Sequence, residues 1–456
     1  MSIRNILKSD VSIIGSGIIG NSIALSLQRK GYRVSVYDKN PKPGFGTTSY
    51  SSGICRMYYS LLDSARLSWE GYHYFENWRD SIGLSNKYEA VELNECGALV
   101  FRSDKSNEFI NKTSKIMEEI GVPVEYLNLE ETNEKVSLLG MDVYNNYETL
   151  NPDHMDFGYP KKKSDLSGSI YMPKSGYISD PQLAANNLYQ AAKDEGVEFN
   201  FNSLVDEIIV DKDKIKGIHL KEKVYIESPI VINACGPYSS QINELAYMNT
   251  YIESDINITS KPLRIEVSYT DNLDNMLNPT LEKVDVNKNG MVIVDLDCGV
   301  YFRPDVGNKF LIGATEPECD ELVWVDDLDD MNDGITEQWL NQIYRAALRI
   351  PTLPIPSGTN KKFVVSTYDV TDDWTPIYDK SNIEGYYMAY GSSGNQFKNA
   401  GAIGPMMADL VDYCESGLDN DTNPLQHKLK MIDGEIDMST FSRLRKPKET
   451  TATVFG

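Results

Sequence analysis

The chain has 456 residues, of which 67 are acidic and 44 are basic, so its formal net charge is −23. This acidic balance argues against a surface for nucleic acids or anionic membranes, because both are bound by clustered positive charge. Only four histidines and six cysteines occur, and no cysteines form a C-x-x-C pair. A zinc, iron–sulfur or histidine-rich metal site is therefore not expected. The length suits two to three domain-sized cores.

The N-terminal ten residues carry mixed charge and lack the apolar core of a signal peptide. No stretch approaches the roughly 18 uninterrupted apolar residues of a membrane-spanning helix. The few, widely spaced cysteines do not suggest a disulfide framework. We therefore expect a cytoplasmic protein without a membrane span.

The most informative pattern begins with an apolar run at 11–14, which predicts a buried strand. Gly15-Ser-Gly-Ile-Ile-Gly20 follows at once, and residues 21–30 have the pattern of a helix. A second β-rich run, 33–38, ends in an acid. Strand, glycine turn, helix, strand and acid in this order are typical of a dinucleotide-binding fold.

Each part of this pattern has a physical purpose. Gly15 permits a tight turn, Gly17 lets the backbone approach a pyrophosphate, and Gly20 lets the helix pack close to the strand. The helix N-terminus offers N–H groups and a positive dipole end to phosphates, and Asp38 is placed to accept ribose hydroxyls. The motif alone does not choose between NAD and FAD. Its expected cofactor contacts are Gly15, Ser16, Gly17, Ile18, Ile19, Gly20, Asp38 and Lys39.

A segment dense in hydroxyl groups follows a breaker-rich loop at 41–46. From composition alone, a solvated Ser/Thr loop is the simpler interpretation. Arg56 at its end favours an anionic or carbonyl partner, since guanidinium groups bind such acceptors well. If the segment binds a cofactor instead, the residues that contact it would be Thr47, Thr48, Ser51, Ser52, Gly53 and Arg56.

Residues 46–54, Gly-Thr-Thr-Ser-Tyr-Ser-Ser-Gly-Ile, resemble the D-amino-acid oxidase superfamily of FAD proteins. The branch of sarcosine oxidase, dimethylglycine dehydrogenase and dye-linked proline dehydrogenase is the most similar. Three further segments, 176–181, 231–238 and 391–398, are similar to family segments and come in the family's order. The resemblance extends over most of residues 10–415.

This resemblance implies an α/β fold with a discontinuous, Rossmann-like FAD-binding domain. An interleaved α+β substrate domain would be built on a large, mainly antiparallel sheet. The expected division is FAD-binding segments 10–88, 165–242 and 370–420, substrate segments 89–164 and 243–369, and a polar C-terminal tail, 421–456.

The resemblance also implies how FAD is held. Some relatives attach the flavin through a histidine where this chain has Tyr50, and others through a cysteine in a segment matching 365–368, which has none. We therefore expect non-covalent FAD. Gln396 stands where relatives often carry glycine, which leaves the conformation of the 391–398 loop open. The further FAD contacts that the resemblance implies are Val205, Ala234, Cys235, Gly236, Gly391, Ser393, Gly394, Asn395, Gln396, Phe397 and Lys398.

The resemblance implies roles for the catalytic candidates as well. Lys398 matches a position that helps to hold a substrate carboxylate, and Arg56 matches an arginine close to the flavin ring. Tyr59 falls where some sarcosine oxidases carry a second substrate arginine, which disfavours sarcosine itself. Arg303, at the end of a β-type run, is expected either to face the pocket or to form a surface salt bridge.

The predicted function is FAD-dependent oxidation of the C–H bond next to nitrogen in a secondary amine or an N-methyl or cyclic amino acid. Sarcosine-, dimethylglycine- or proline-like substrates would give an imine, and primary amines and alcohols are less favoured. Alternatives are oxidation of a hydroxyl substrate such as glycerol-3-phosphate or a 2-hydroxy acid, an FAD-binding subunit of a larger dehydrogenase complex, and a nicotinamide dehydrogenase. The sequence leaves open whether oxygen or another acceptor takes the electrons, and whether the chain forms a homo-oligomer or needs a partner subunit.

Overall fold

A computed structural model of the chain describes residues 7–448, except 105, 137–138, 145, 222–223, 274–289 and 357–360. Two large sheets, joined by helices and smaller sheets, contain most of the strands in these residues. No helix in the described residues is both long and apolar enough to cross a membrane.

A six-stranded sheet contains the predicted dinucleotide-binding strands. Its neighbouring strands are parallel except for the final pair. Every residue of Val11–Ile14 and Val34–Tyr37 is buried, as expected for strands that are covered on both faces. The strand order is Glu198–Asn200, Val34–Tyr37, Val11–Ile14, Ile230–Asn233, Tyr386–Tyr390 and Ile377–Lys380.

An eight-stranded sheet forms the second layer, and it is antiparallel except for the pairing of Val292–Asp295 with Ala98–Arg102. Together the two sheets confirm the predicted α/β class, with a Rossmann-like sheet and a large, mainly antiparallel one. The strand order is Phe363–Thr371, Ser260–Tyr269, Lys309–Ala314, Val300–Asp305, Val292–Asp295, Ala98–Arg102, Gly168–Met172 and Glu125–Leu127.

The smaller sheets are four-, three- and two-stranded. Their strands are Leu7–Lys8, Val224–Glu227, Lys214–Leu220 and Val205–Asp211; Ile54–Cys55, Gly176–Ile178 and Leu93–Glu95; Asp142–Tyr144 and Lys162–Asp165; and Gln426–Lys428 and Glu435–Asp437.

The first helix, Ile18–Arg29, packs between Pro181–Asp194 and Ala400–Glu415. It begins three residues earlier than the sequence pattern predicts. Gly404 allows the closest approach, because a Cβ there would lie 2.4 Å from the backbone oxygen of Ser22. The other α-helices in the described residues are Leu62–Glu76, Trp78–Ile82, Asn107–Glu119, Leu129–Lys135, Asn146–Leu150, Ser239–Tyr247 and Glu337–Arg349.

Two segments depart from the predicted domain division, which otherwise stays a prediction. The strand Gly168–Met172, assigned to the cofactor domain, pairs within the eight-stranded sheet. The segment after residue 420, expected to be a polar tail, packs against the core as far as residue 448. Its Arg443 is 1% exposed and pairs with Asp379 at 3.1 Å. Charge runs alone did not reveal this ion pair, because its partner is distant in sequence.

Candidate cofactor and substrate site

A cavity of about 810 Å³ opens where the parallel strands of the six-stranded sheet end. Parallel strands bring their carboxyl ends to one edge, where α/β sheets bind their ligands. The opposite wall is a face of the eight-stranded sheet. This wall is mostly apolar or aromatic, with Ile265, Val267, Val294, Tyr301 and Tyr368 among its residues.

The glycine turn leaves no room for a side chain at Gly15 or at Gly20. Gly15 has φ = +106°, and a Cβ there would lie 2.4 Å from the backbone oxygen of Ala234. A Cβ on Gly20 would lie 2.1 Å from the oxygen of Gly15. Gly15 lines the cavity, whereas Gly20 packs the helix onto the turn, as the sequence pattern predicts.

The first helix begins beside this turn. Gly17 and Ile18 line the cavity, so the positive end of the helix dipole is close to it. The Ile18 N–H donates to the hydroxyl of Thr48 at 3.2 Å, which joins the turn to the hydroxyl-rich segment. A polar, anion-compatible wall results, and such a wall suits a pyrophosphate.

Asp38 lies at the end of the next strand and lines the same cavity. One carboxylate oxygen accepts the Ser16 N–H at 2.6 Å and the other accepts the Asn40 N–H at 2.7 Å. Burial raises the pKa of Asp38, and these hydrogen bonds oppose the shift. We call the part of the cavity formed by residues 15–20 and 38–39 the glycine-turn end.

Lys39 at the glycine-turn end makes a contact that the sequence did not predict. Its Nζ lies 3.5 Å from the ring centre of Tyr238 and 3.1 Å from a carboxylate oxygen of Asp329. The Tyr238 hydroxyl donates to the same oxygen at 2.7 Å. Asp329 belongs to a strongly acidic loop, and acidic runs in sequence are usually solvated, which hides such a partner.

The hydroxyl-rich segment is a cavity wall rather than a solvated loop. Thr47–Tyr50 forms a short 3₁₀ helix, and Ser51 and Ser52 follow it along the cavity. The Ser52 and Tyr301 hydroxyls lie 2.8 Å apart, which connects the segment to the eight-stranded sheet. Gly53 has φ = +65°, and a Cβ there would lie 2.2 Å from the oxygen of Ile178.

The loop after the strand Tyr386–Tyr390 is held by Asp369. The carboxylate of Asp369 accepts the Gly391 N–H at 2.5 Å, and its backbone oxygen accepts the Ser393 N–H at 2.8 Å. Burial raises the pKa of Asp369 to about 6. Sequence reasoning missed this residue, because a single acid inside a strand carries no motif.

Gln396 adopts φ = −102°, which any residue can take, so its position does not require glycine. Its side-chain oxygen accepts from the Tyr378 hydroxyl at 3.1 Å and from the Asn399 amide at 2.8 Å. These bonds fix the turn whose conformation the sequence left open. The helix Ala400–Glu415 begins four residues later.

Lys398 and Arg56 meet at Tyr59. The side-chain nitrogen of Lys398 donates to the backbone oxygen of Asn395 at 2.6 Å and also to the Tyr59 hydroxyl. The Tyr59 hydroxyl donates to the same backbone oxygen at 3.1 Å. The Arg56 guanidinium carbon lies 5.0 Å from the centre of the Tyr59 ring and a guanidinium nitrogen donates to the Tyr58 oxygen. We call the cluster of Arg56, Tyr59, Asn395 and Lys398 the lysine end.

Both cations of the lysine end are buried, Arg56 with 6% and Lys398 with 3% of its surface exposed. Burial lowers the pKa of each. Both side chains line the cavity. The structure therefore brings together two of the predicted catalytic residues and places Tyr59 directly behind them.

Arg303 does not reach the cavity. Arg303 lies on the same face of the sheet as Tyr301, because the two are two residues apart in one strand, but it stands further along that strand, away from the cavity. There it pairs with Asp305 at 3.2 Å and stacks its guanidinium 4.6 Å from the ring centre of Tyr177. The expectation that it faces the pocket is not supported.

The remaining predicted contacts divide into two groups. Most of them line the cavity, including Val205, Ala234, Cys235, Gly236, Gly394 and Phe397. Others hold the wall in place without lining it. This second group is Ser16, Gly20, Tyr59, Gly391 and Ser393.

The site fits FAD by two observations. At the glycine-turn end, Gly15 and Gly17 line the cavity without side chains, which leaves their backbone open to a pyrophosphate. At the other end, Asn395 lines the cavity, and its buried side-chain nitrogen has no hydrogen-bond partner among the described residues. A buried donor of this kind is costly unless a ligand accepts from it.

Comparison with known proteins gives a family and a fold. The model of a family described as FAD dependent oxidoreductase (DAO) matches residues 10–410. The chain is 22% identical to FAD-dependent oxidoreductase domain-containing protein 1 of Bos taurus over 417 residues, which cover 89% of this chain and 81% of that protein.

Two solved structures share the fold. L-proline dehydrogenase from P. horikoshii is 20% identical with a TM-score of 0.72, and the match covers 96% of this chain and 98% of that one. Glycine oxidase from Geobacillus kaustophilus is 18% identical with a TM-score of 0.67, covering 96% and 99%.

Proposed function

The chain belongs to the DAO family of FAD-dependent oxidoreductases, and from this premise we propose that it oxidises the carbon–nitrogen bond of a small amino acid. The favoured substrates are secondary amines, namely N-methyl or cyclic amino acids of the sarcosine, dimethylglycine or proline type. Support comes from the names of the two similar structures, a proline dehydrogenase and a glycine oxidase.

The observation that carries this proposal is the lysine end. Lys398 and Arg56 place two buried basic groups on one wall of the cavity. Buried guanidinium and ammonium groups bind carboxylates strongly, because water does not compete there. With a net charge of −23, the whole-molecule field repels anions, so the attraction must come from this local cluster.

In the proposed complex, the glycine-turn end binds the pyrophosphate and ribose of FAD. Asn395 donates to an acceptor of the flavin or the substrate. When bound, FAD supplies the hydride acceptor for the C–H bond next to nitrogen. The apolar residues Ile265, Val267 and Val294 exclude water from the substrate, and Lys398 and Arg56 orient its carboxylate.

We propose that FAD is held without a covalent bond. Cys235 lines the cavity, but burial raises the pKa of its thiol and its Sγ donates to the Ile14 oxygen at 3.2 Å. A thiol that stays protonated is a poor nucleophile. Acid precipitation should release all the yellow colour into the supernatant, and colour in the washed pellet would contradict this.

The decisive experiment is anaerobic reduction of the flavin by a panel of compounds. Proline, sarcosine, dimethylglycine and glycine are compared with a 2-hydroxy acid and glycerol-3-phosphate. Bleaching by an amino acid supports the proposal, and bleaching by only the hydroxyl compounds would replace it. An FAD-loaded protein that none of them reduces would favour a binding subunit, and a protein without flavin would favour a nicotinamide enzyme.

Air is then readmitted to the reduced protein. Fast recovery of the yellow colour identifies an oxidase, whereas slow recovery that a dye accelerates identifies a dehydrogenase.

A further inference from the structure

We propose that Lys398, held by Tyr59, accepts the proton of the substrate's ammonium group. This inference rests on the proposed function, because it concerns an amine that enters the cavity in its protonated form. An amino acid in neutral water is a zwitterion, and its nitrogen has no lone pair until the ammonium loses a proton. Hydride loss from the neighbouring carbon requires that lone pair, so some group must take the proton.

Lys398 is placed to do so. An ammonium has three N–H donors, and the described structure directs two of them to protein acceptors, the Asn395 oxygen and the Tyr59 hydroxyl. Lys398 is also one of the residues that line the cavity, and the proposal places its nitrogen beside the bound substrate while these two acceptors hold it in position. Tyr59, which does not line the cavity, acts through Lys398 as a positioning residue.

The surroundings of Lys398 favour its neutral form before substrate binds. Lys398 is buried, and its hydrogen bonds in the described residues go to the Asn395 backbone oxygen and the Tyr59 hydroxyl rather than to a carboxylate. The Arg56 guanidinium lies beside the same Tyr59 ring. Burial, and then the charge of Arg56, lower the pKa of Lys398, whereas Tyr59 raises it. The other titratable or polar neighbours of Lys398 are Arg56 and Cys55. Those of Tyr59 are Arg56, Ser68 and Tyr378.

Binding of the zwitterion then moves a proton within the site. The substrate carboxylate beside Lys398 raises the proton affinity of the pair, and Arg56 nearby lowers that of the substrate ammonium. One N–H bond of the substrate breaks, and one N–H bond at Nζ of Lys398 forms. Lys398 is then charged and binds the carboxylate, the amine has its lone pair, and no proton is exchanged with water.

Proton exchange on ligand binding tests this inference without turnover. FAD-loaded protein is titrated calorimetrically near pH 8 in buffers of different ionisation enthalpy, with acetate and with 2-aminoisobutyrate. Acetate brings a carboxylate without an ammonium, so it should bind with uptake of about one proton from water. 2-Aminoisobutyrate is a zwitterion without an α-hydrogen, and it should bind with uptake of about zero, since it supplies the proton itself.

Three variants assign the proton to the pair. Lys398→Met should lose the uptake with acetate. Tyr59→Phe should keep it but move its pH midpoint down by about one unit, because Lys398 loses a hydrogen-bond acceptor that raises its pKa. Tyr387→Phe is the matched control, since this buried tyrosine donates to Glu415 at 2.8 Å, and it should behave as the original protein does. Flavin content checks that each variant has folded.

Equal uptake with both ligands, no uptake with acetate, or failure of either ligand to bind would overturn the inference. So would an unchanged midpoint in Tyr59→Phe. These outcomes are separate from failure of the proposed function. If no amino acid bleaches the flavin, the function is wrong whatever the calorimetry gives. If proline bleaches it and acetate binds without uptake, only the role of Lys398 is wrong.

Discussion

The glycine-turn end of the cavity presents mainly backbone groups, whereas the lysine end presents side chains. Residues 15–20 and 38–39 are close in sequence and present mainly backbone groups, packed so tightly that a Cβ at Gly20 has no space. The lysine end brings together Arg56 and Lys398, more than 300 residues apart, and presents buried side chains. The first end therefore depends on close backbone packing, and the second depends on which side chains are present. Substitutions at the two ends should fail in different ways.

The largest effect is expected from Gly20→Ala at the glycine-turn end. Its Cβ would lie 2.1 Å from the Gly15 oxygen, a backbone atom that cannot move without displacing the strand or the helix. We expect the affinity for FAD to fall at least about tenfold, equivalent to about 1.4 kcal/mol or more, and the flavin-to-protein absorbance ratio to fall with it.

Gly31→Ala is the matched control for this substitution. Gly31 lies just beyond the C-terminal end of the same helix, and a Cβ there meets nothing within 4 Å. Because its φ is +94°, the substitution should cost about 1 kcal/mol of stability, but it should leave the flavin content unchanged. Equal flavin loss in both variants would mean that lower stability of the fold, and not the contact of helix and turn, determines cofactor binding.

Lys398→Met at the lysine end should spare the cofactor and impair the substrate. Loss of a buried charge that holds a carboxylate costs about 2–4 kcal/mol, so kcat/KM for amino acids should fall about 30- to 1000-fold. Flavin content should be unchanged. The matched change at the other end, Lys39→Met, removes a lysine that contacts Tyr238 and Asp329, and it should lower FAD affinity with little change in kcat/KM. If both substitutions lowered FAD affinity, or both lowered kcat/KM, to a similar extent, the two ends of the cavity would not differ in function.

Asp369→Asn should change how stability depends on pH. Burial raises the pKa of this carboxyl to about 6, so between about pH 4 and 6 the folded chain keeps a proton that the unfolded chain loses. Stability should therefore fall as the pH rises through this window, by about 3 kcal/mol in all. In the Asn variant this contribution disappears.

The measurement is the urea midpoint at several pH values for both proteins. The midpoint of the original protein should fall relative to that of the variant between about pH 4 and 6 and stay parallel above. The Asp369 carboxylate also accepts a hydrogen bond from the Ser260 hydroxyl. A constant difference across this range would show that this bond and the one from the Gly391 N–H keep the carboxylate ionised.

The glycine-turn end could be predicted from the sequence more fully than the lysine end. The sequence predicted the tight turn at Gly15, the close packing at Gly20 and the position of Asp38 after the second strand, because the strand–turn–helix pattern determines short-range geometry. The ribose contact of Asp38 stays a prediction. The resemblance indicated Lys398 and Arg56, but their meeting at Tyr59 depends on chain segments that pack only in the folded protein. Of the two alternatives for Arg303, the structure shows an ion pair, although a buried one. The sequence did not decide between them, since alternation along a strand gives the face of the sheet but not the distance to the cavity.

The residues that sequence reasoning missed form hydrogen bonds or ion pairs between segments that are distant in the chain. Asp369 holds the Gly391 backbone from a strand of the eight-stranded sheet, whereas Gly391 follows a strand of the six-stranded one, and Asp329 contacts Lys39 across 290 residues. Neither acid stands in a motif, and one lies in a run of acids that looks solvated. Arg443, expected in a polar tail, is buried because Asp255, Asp379 and Asp421 surround it. Long-range ion pairs leave no local trace in a single sequence.

The smallest predicted effect concerns the acidic loop at the glycine-turn end. Asp329 joins Lys39 and the Tyr238 hydroxyl, and Leu328 and Met331 beside it line the cavity, so the loop covers part of this end. The pair is exposed and screened by water, worth no more than about 1 kcal/mol, so Asp329→Asn should speed FAD release only about two- to fivefold. The rate is followed as fluorescence regained by free flavin on dilution. Asp330→Asn removes the same charge from a neighbouring position and should leave the rate unchanged. Equal acceleration of FAD release in both variants would mean that the net charge causes the effect. The acidic loop would then make no specific contribution to cofactor binding at the glycine-turn end.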